Sequence, residues 1–159
     1  MWLGILLCVL AVGIGLAIGI PRGMKIKKLR EDGKIVVRNY RYAEKGEEFT
    51  SRVGSFEALK YQLENAEIPC GMQGNTATQV DFSSSNFAAR LYKVDFDEPS
   101  GIGIFRFEFT RWKTARYGYM DDSLMNMLMT SVEKAFLNLD PNTGVKFYDL
   151  NFKTHHSIL

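Results

Sequence analysis

The chain has 159 residues, 46% of them apolar and 24% charged, with a formal net charge of +2 at neutral pH. That size and composition fit about one folded domain and exclude a disordered chain, a collagen-like repeat and a Pro-rich linker. Two cysteines exclude a disulfide framework, and a charge so near zero supplies no global field to draw in nucleic acid.

Trp2 to Ile20 carries no charged residue. As a helix it would be about 28 Å long, close to the hydrocarbon thickness of a bilayer. Pro21 and Gly23 stop it, and Trp2 suits the interface at its far end. Residues 1–21 therefore read as a transmembrane anchor. A signal peptide would need a basic stretch before the apolar run, and the chain has none. Ala17-Ile18-Gly19 still offers a small-x-small cleavage pattern, so the alternative is an exported domain released by cleavage.

Arg22, Lys25, Lys27, Lys28 and Arg30 follow the run, with Lys34 just beyond, and make a basic juxtamembrane linker over 22–34. Positive residues beside a membrane helix stay on the cytoplasmic side. The expectation is a single-pass protein of the cell membrane with its C-terminal domain in the cytoplasm. The free Cys70 suits a reducing compartment. The same basic residues can meet lipid headgroups, although Glu31 and Asp32 follow at once and topology alone accounts for the cluster. Ala11, Gly15 and Gly19 recur every four residues and put small side chains on one helix face, with a G-x-x-x-G at its end. That pattern allows self-association through the membrane helix.

From Ile35 onward there are 14 basic and 16 acidic residues, so the domain over 35–153 is slightly acidic. Ile35–Tyr42 is rich in β-branched and aromatic residues and reads as a strand. Ala43–Thr50 is charged, contains Gly46 and reads as a loop. Ser55 caps a helix whose apolar positions are Phe56, Leu59, Leu63 and Ala66, ended by Pro69 and Gly71. Gly71–Thr76 reads as a loop and Ala77–Phe82 as a short optional strand. Asn86–Phe96 reads as a strand, followed by the turn Asp97-Glu98-Pro99-Ser100-Gly101. Ile102–Trp112 has the clearest strand alternation, with Phe105, Phe107 and Phe109 on one face and Arg106, Glu108 and Thr110 on the other. These two strands are expected to form a hairpin.

Thr114–Met120 reads as a connection. Asp121 or Asp122 is expected to cap a second helix with the stripe Met125, Leu128, Met129, Val132, Phe136 and Leu139, leaving Met127 off the stripe and exposed. Asp140-Pro141-Asn142-Thr143-Gly144 is a stop and turn, Val145–Phe152 a last strand, and 154–159 a tail. The order β-α-β-β-α-β is that of a ferredoxin-like α+β domain, with both helices on one face of an antiparallel sheet and the other face open.

The stretch Ser100–Phe107 shares its two glycines and last aromatic with the third-strand motif of RNA-binding domains of this order. Ile102 and Ile104 stand where that motif needs stacking aromatics, so no nucleic acid is expected as a partner. The adjacent His155 and His156 point to opposite sides of an extended tail and do not converge on a metal. Cys70 has no second signature of a nucleophile, and Gly101-x-Gly103 precedes a strand rather than a phosphate-binding helix. No catalytic, cofactor or metal residues are assigned. The reading is a membrane-anchored domain that binds a protein partner or a small ligand, with Ile102, Ile104 and Arg106 on the open sheet face as the partner surface. The alternative to binding is an enzyme or ligand sensor whose site is assembled from scattered residues.

Overall fold

A computed structural model describes residues 23–38, 41–115, 118–150 and 156–157 of the chain. The chain divides into two units, residues 1–36 and 37–159. In the first, residues 23–31 are helical, and Lys25, Lys27, Lys28 and Arg30 are exposed on that helix. Gly33 ends it with φ of 66°, a left-handed conformation that costs glycine little, and its N–H bonds the Arg30 carbonyl at 2.9 Å. Among the described residues no helix is long and apolar enough to cross a membrane. The apolar run 2–20, with Ala11, Gly15 and Gly19, and Arg22 beyond it, lies outside the described residues.

The second unit is an α+β domain built on an antiparallel sheet. Its strands are β1 Lys45–Ser51, β2 Gly71–Thr76, β3 Gln79–Ser83, β4 Phe87–Asp97, β5 Ile102–Ala115, β6 Gly118–Tyr119, β7 Gly144–Asp149 and β8 His156–Ser157. Its helices are α1 Phe56–Glu64 and α2 Asp122–Leu139. The sheet runs β2-β3-β4-β5-β1-β7, and β6 and β8 pair with the far end of β5.

Alternation builds the core. Val80, Phe82, Ala89, Leu91, Phe49, Phe105, Phe107 and Phe109 share one sheet face and are buried. A bulge in the β4–β5 ladder, between Ala88 and Ala89, brings Trp112 back to the same face three residues after Phe109. Both helices cover that face. Phe56 of α1 stacks on Phe105 at 6.1 Å between ring centroids, and Phe136 of α2 stacks on Phe49 at 4.2 Å. Ser55 caps α1 as its sequence implies, its Oγ accepting from the Ala58 N–H at 3.1 Å.

Several expectations are corrected. The first strand is Lys45–Ser51, all but its last residue in the stretch read as a loop, and the described residues of Ile35–Tyr42 form no strand. Its place is fixed by pairing on both sides, Phe49 opposite Phe105 on β5 and opposite Val145 on β7. Gly71–Thr76 is a strand, held by the ladder to β3 that pairs Met72 with Phe82. The connection after Trp112 is shorter than read, because β5 continues to Ala115 and turns back through β6. Asp121 stands at the start of α2 but makes no side-chain cap there; its Oδ2 accepts instead from Asn86 Nδ2 at 2.8 Å. Met127 is buried, because α2 is covered on more than its sheet-facing stripe, from Met125 through Thr130.

Candidate functional site

The sheet face turned away from α1 and α2 carries Ile102, Ile104 and Arg106 on β5, half-buried, as alternation requires. The rest of that face is polar. Arg106 pairs with Glu48 of β1 at 2.9 Å, and Arg90 of β4 with Asp81 of β3 at 3.1 Å. The Arg106 guanidinium lies 5.0 Å from the Tyr148 ring centroid, and the Tyr148 hydroxyl donates to Glu108 Oε2 at 3.3 Å. The Glu48 hydrogen bond holds the Arg106 guanidinium protonated more firmly than usual. Burial, then the Glu108 charge, pushes the Tyr148 phenol well above its ordinary range. Tyr148 pairs with Gly46 of β1, and the outer end of its ring takes the space a side chain would fill there.

Ile102 also lines a cleft of about 400 Å³ at one end of the sheet. Its other lining residues are Thr50, Ser51 and Arg52 at the end of β1, and Asp140 and Asn142 in the turn after α2. Asp140 shapes the cleft. One carboxylate oxygen accepts the Arg52 N–H at 2.8 Å and the other the Asn142 N–H at 2.9 Å, and these bonds hold its pKa below the usual carboxylate range. Ser51 Oγ lies 2.7 Å from Thr143 Oγ1. The side chains of Arg52, Thr50 and Asn142 make no hydrogen bond among the described residues. They leave one cation, one hydroxyl and one amide beside the Ile102 wall. Such a site can receive a small polar ligand, or a projecting side chain, with a hydrogen-bond acceptor.

A second polar cluster lies inside the domain. Glu47 projects from β1 onto the helix-covered face, two residues before Phe49, and is fully buried. Among the described residues no donor reaches either of its oxygens, and its carboxyl lies within hydrogen-bond reach of the Glu133 carboxyl. Arg38, with its side chain 5% exposed, sends Nη1 to Glu133 Oε1 at 3.0 Å and Nη2 to Glu133 Oε2 at 2.8 Å, and Nη2 also reaches Thr130 Oγ1 at 3.3 Å. The same Nη1 is 3.9 Å from Glu47 Oε1. Burial, then the Glu133 charge, raises the Glu47 carboxyl to about 9, with Arg38 working against them. Sequence reading missed Glu47 and Arg38 because each lay in a stretch assigned to the wrong element. The available signal was strand alternation over Glu47, Phe49 and Ser51, which puts a glutamate on a core face.

The other residues weighed from the sequence do not converge. Cys70 is half-buried beside the start of β2, and burial pushes its thiol up to about 11, away from nucleophilic use at neutral pH. Trp112 is buried and meets Tyr119 edge-on at 6.4 Å, at the edge of the core. His155 lies outside the described residues. Among the described residues no group of three His, Cys, Asp or Glu side chains could hold a metal ion. Comparison with protein-family models, with curated proteins and with solved structures finds no match.

Proposed function

We propose that this chain is a single-pass membrane protein whose α+β domain faces the cytoplasm and acts by binding. The ligand is a protein partner that covers the open sheet face and places a polar side chain in the cleft beside Ile102, or a small polar ligand of the same chemistry. The observation that carries this reading is the cleft itself. It joins the open face through Ile102, and among the described residues its Arg52, Thr50 and Asn142 side chains make no hydrogen bond. The membrane part rests on the uncharged run 2–20 and the basic residues that follow it. The domain reading is ferredoxin-like, supported by the path β7-β1-β5-β4, the strand neighbours that a split β-α-β produces. The β2–β3 hairpin is then an insertion between α1 and β4.

Two measurements test the proposal. C-terminal fusions to alkaline phosphatase and to a cytoplasmically maturing fluorescent protein report topology; fluorescence without phosphatase activity supports it, and the converse overturns it. A photo-crosslinking residue placed at Ile102, and separately at the exposed Leu137 of α2, is then activated in intact membranes. An adduct of defined mass from position 102 alone, lost when Arg52 is changed to Glu, supports the binding site. Equal adducts from both positions, or none from 102, overturn it.

A further inference from the structure

The Arg38–Glu47–Glu133 cluster is not part of the binding face, and its arrangement is costly unless something balances it. One guanidinium faces two carboxyl groups, and a buried charge left uncompensated is strongly destabilising. Glu133 receives two N–H donors from Arg38, while Glu47, deeper in the core, receives none among the described residues. The cluster is neutral only if it holds one proton, and the group without donors is the place for it. Its register neighbours are Phe107 on β5 and Phe147 on β7, and among the described residues the charged groups acting on it are Glu133 from α2 and Arg38.

We propose that Arg38, Glu47 and Glu133 form a one-proton latch, in which Arg38 holds α2 while Glu47 is protonated and transfers to Glu47 when the proton leaves. Arg38 is the second residue of the domain unit, so the latch fastens the point where the chain joins the domain to α2, through Glu133 and Thr130. In alkaline solution the Glu47 proton passes to hydroxide, giving water and a carboxylate with no hydrogen bond. That carboxylate draws in Nη1, the guanidinium nitrogen already between the two acids. Glu133, 20% exposed, is able to turn to water. The chain's first residues in the domain then lose their tie to the helix while the core charge stays balanced.

The test uses the full chain in detergent micelles with carbon-13-labelled glutamate carboxyls. The Glu47 resonance, assigned by its loss in Glu47→Gln, is expected to titrate at about pH 8 or above, and Glu133→Gln to lower that midpoint by about one unit or more, because it removes a charge that opposes ionisation. Hydrogen exchange of the peptide bearing Arg38, corrected for its intrinsic rate, is expected to rise about tenfold between about pH 7 and about pH 9.5 in the native chain and to stay flat in Glu47→Gln. If Glu47→Gln fails to fold, Glu47→Asp gives the same assignment. A Glu47 midpoint in the ordinary carboxylate range, a midpoint unmoved by Glu133→Gln, or exchange that stays flat in the native chain overturns the latch.

Discussion

Adding a single methyl group at Gly103 measures how rigidly the aromatic core is set. A Cβ there would meet Phe105 Cε2 and Cζ at 2.5 Å and Phe96 Cδ2 at 3.1 Å. Ordinary carbon contacts lie at about 3.5–4.0 Å, so the Phe105 ring must move by about 1 Å. It has little room to move, being fully buried with the Phe56 and Phe136 rings at 6.1 Å and 5.3 Å between centroids. Overpacking of this kind costs about 1–3 kcal/mol, and disturbing an aromatic pair costs about 0.5–1.5 kcal/mol more. Removing a strand glycine returns about 0.5–1 kcal/mol. Gly103→Ala is therefore expected to destabilise the domain by about 2 kcal/mol. Gly46→Ala is the matched control. Its Cβ also meets a ring, but that ring is the outer end of Tyr148, which is half-buried and can swing outward. The losses are then a cation–π contact of about 0.5–1 kcal/mol and the 3.3 Å hydrogen bond to Glu108, worth about 1 kcal/mol, partly offset by the glycine term, for a net of about 1 kcal/mol. Urea denaturation of both variants at one pH gives the two values. A neutral Gly103→Ala, or a Gly46→Ala more damaging than it, would refute the argument that Phe105 is fixed by its neighbours while Tyr148 is not.

Glu47 binds its proton more tightly in the folded chain than in the unfolded one, since burial, with the Glu133 charge, raises it from 4.5 to about 9. Stability from this group is full below the unfolded value and falls as pH rises toward the folded one, at up to about 1.4 kcal/mol per pH unit. Urea midpoints from about pH 5 to about pH 8 should fall in the native chain and stay level in Glu47→Gln, which mimics the protonated acid; equal slopes would refute the assignment. Cys70, with its thiol pushed from 9.0 to about 11, should react with iodoacetamide near pH 8 about 100-fold more slowly than an unperturbed thiol, because only the thiolate attacks. A Cys70→Ser control separates Cys8, and a rate equal to that of the unfolded chain would contradict the burial argument. Asp140→Ala removes the acceptor for the Arg52 and Asn142 N–H groups, so the thermal midpoint should fall and hydrogen exchange at Arg52 should quicken. The same carboxyl has a lowered pKa in the folded state; its contribution is present above the unfolded carboxylate range and is lost as pH falls through the folded value, and an unchanged Arg52 exchange rate in Asp140→Ala would refute the role given to it.

The sequence by itself determined those elements whose residues make one choice on local grounds. Helix α2 has an apolar stripe at 3.6-residue spacing, from Met125 to Phe136, and a Pro-containing turn to stop it. Strand β5 alternates strictly over three phenylalanines, and the turn before it carries Gly101 at φ of 66°, where a side chain is disfavoured. The face on which Ile102, Ile104 and Arg106 lie follows from that alternation alone. Tertiary structure decided the rest. Ile35–Tyr42 has the better strand composition, yet the strand that forms is the charged Lys45–Ser51, because β5 and β7 satisfy its backbone on both sides and Phe49 stacks on Phe136. Gly71–Thr76 has little intrinsic preference for a strand and becomes one by pairing with β3. Arg38, Glu47 and Glu133 are separated by up to 95 residues, and only the packing of α2 against β1 gathers them at one point. Periodicity states which way a side chain points along its own element; which charge it will meet there depends on partners that no local window contains.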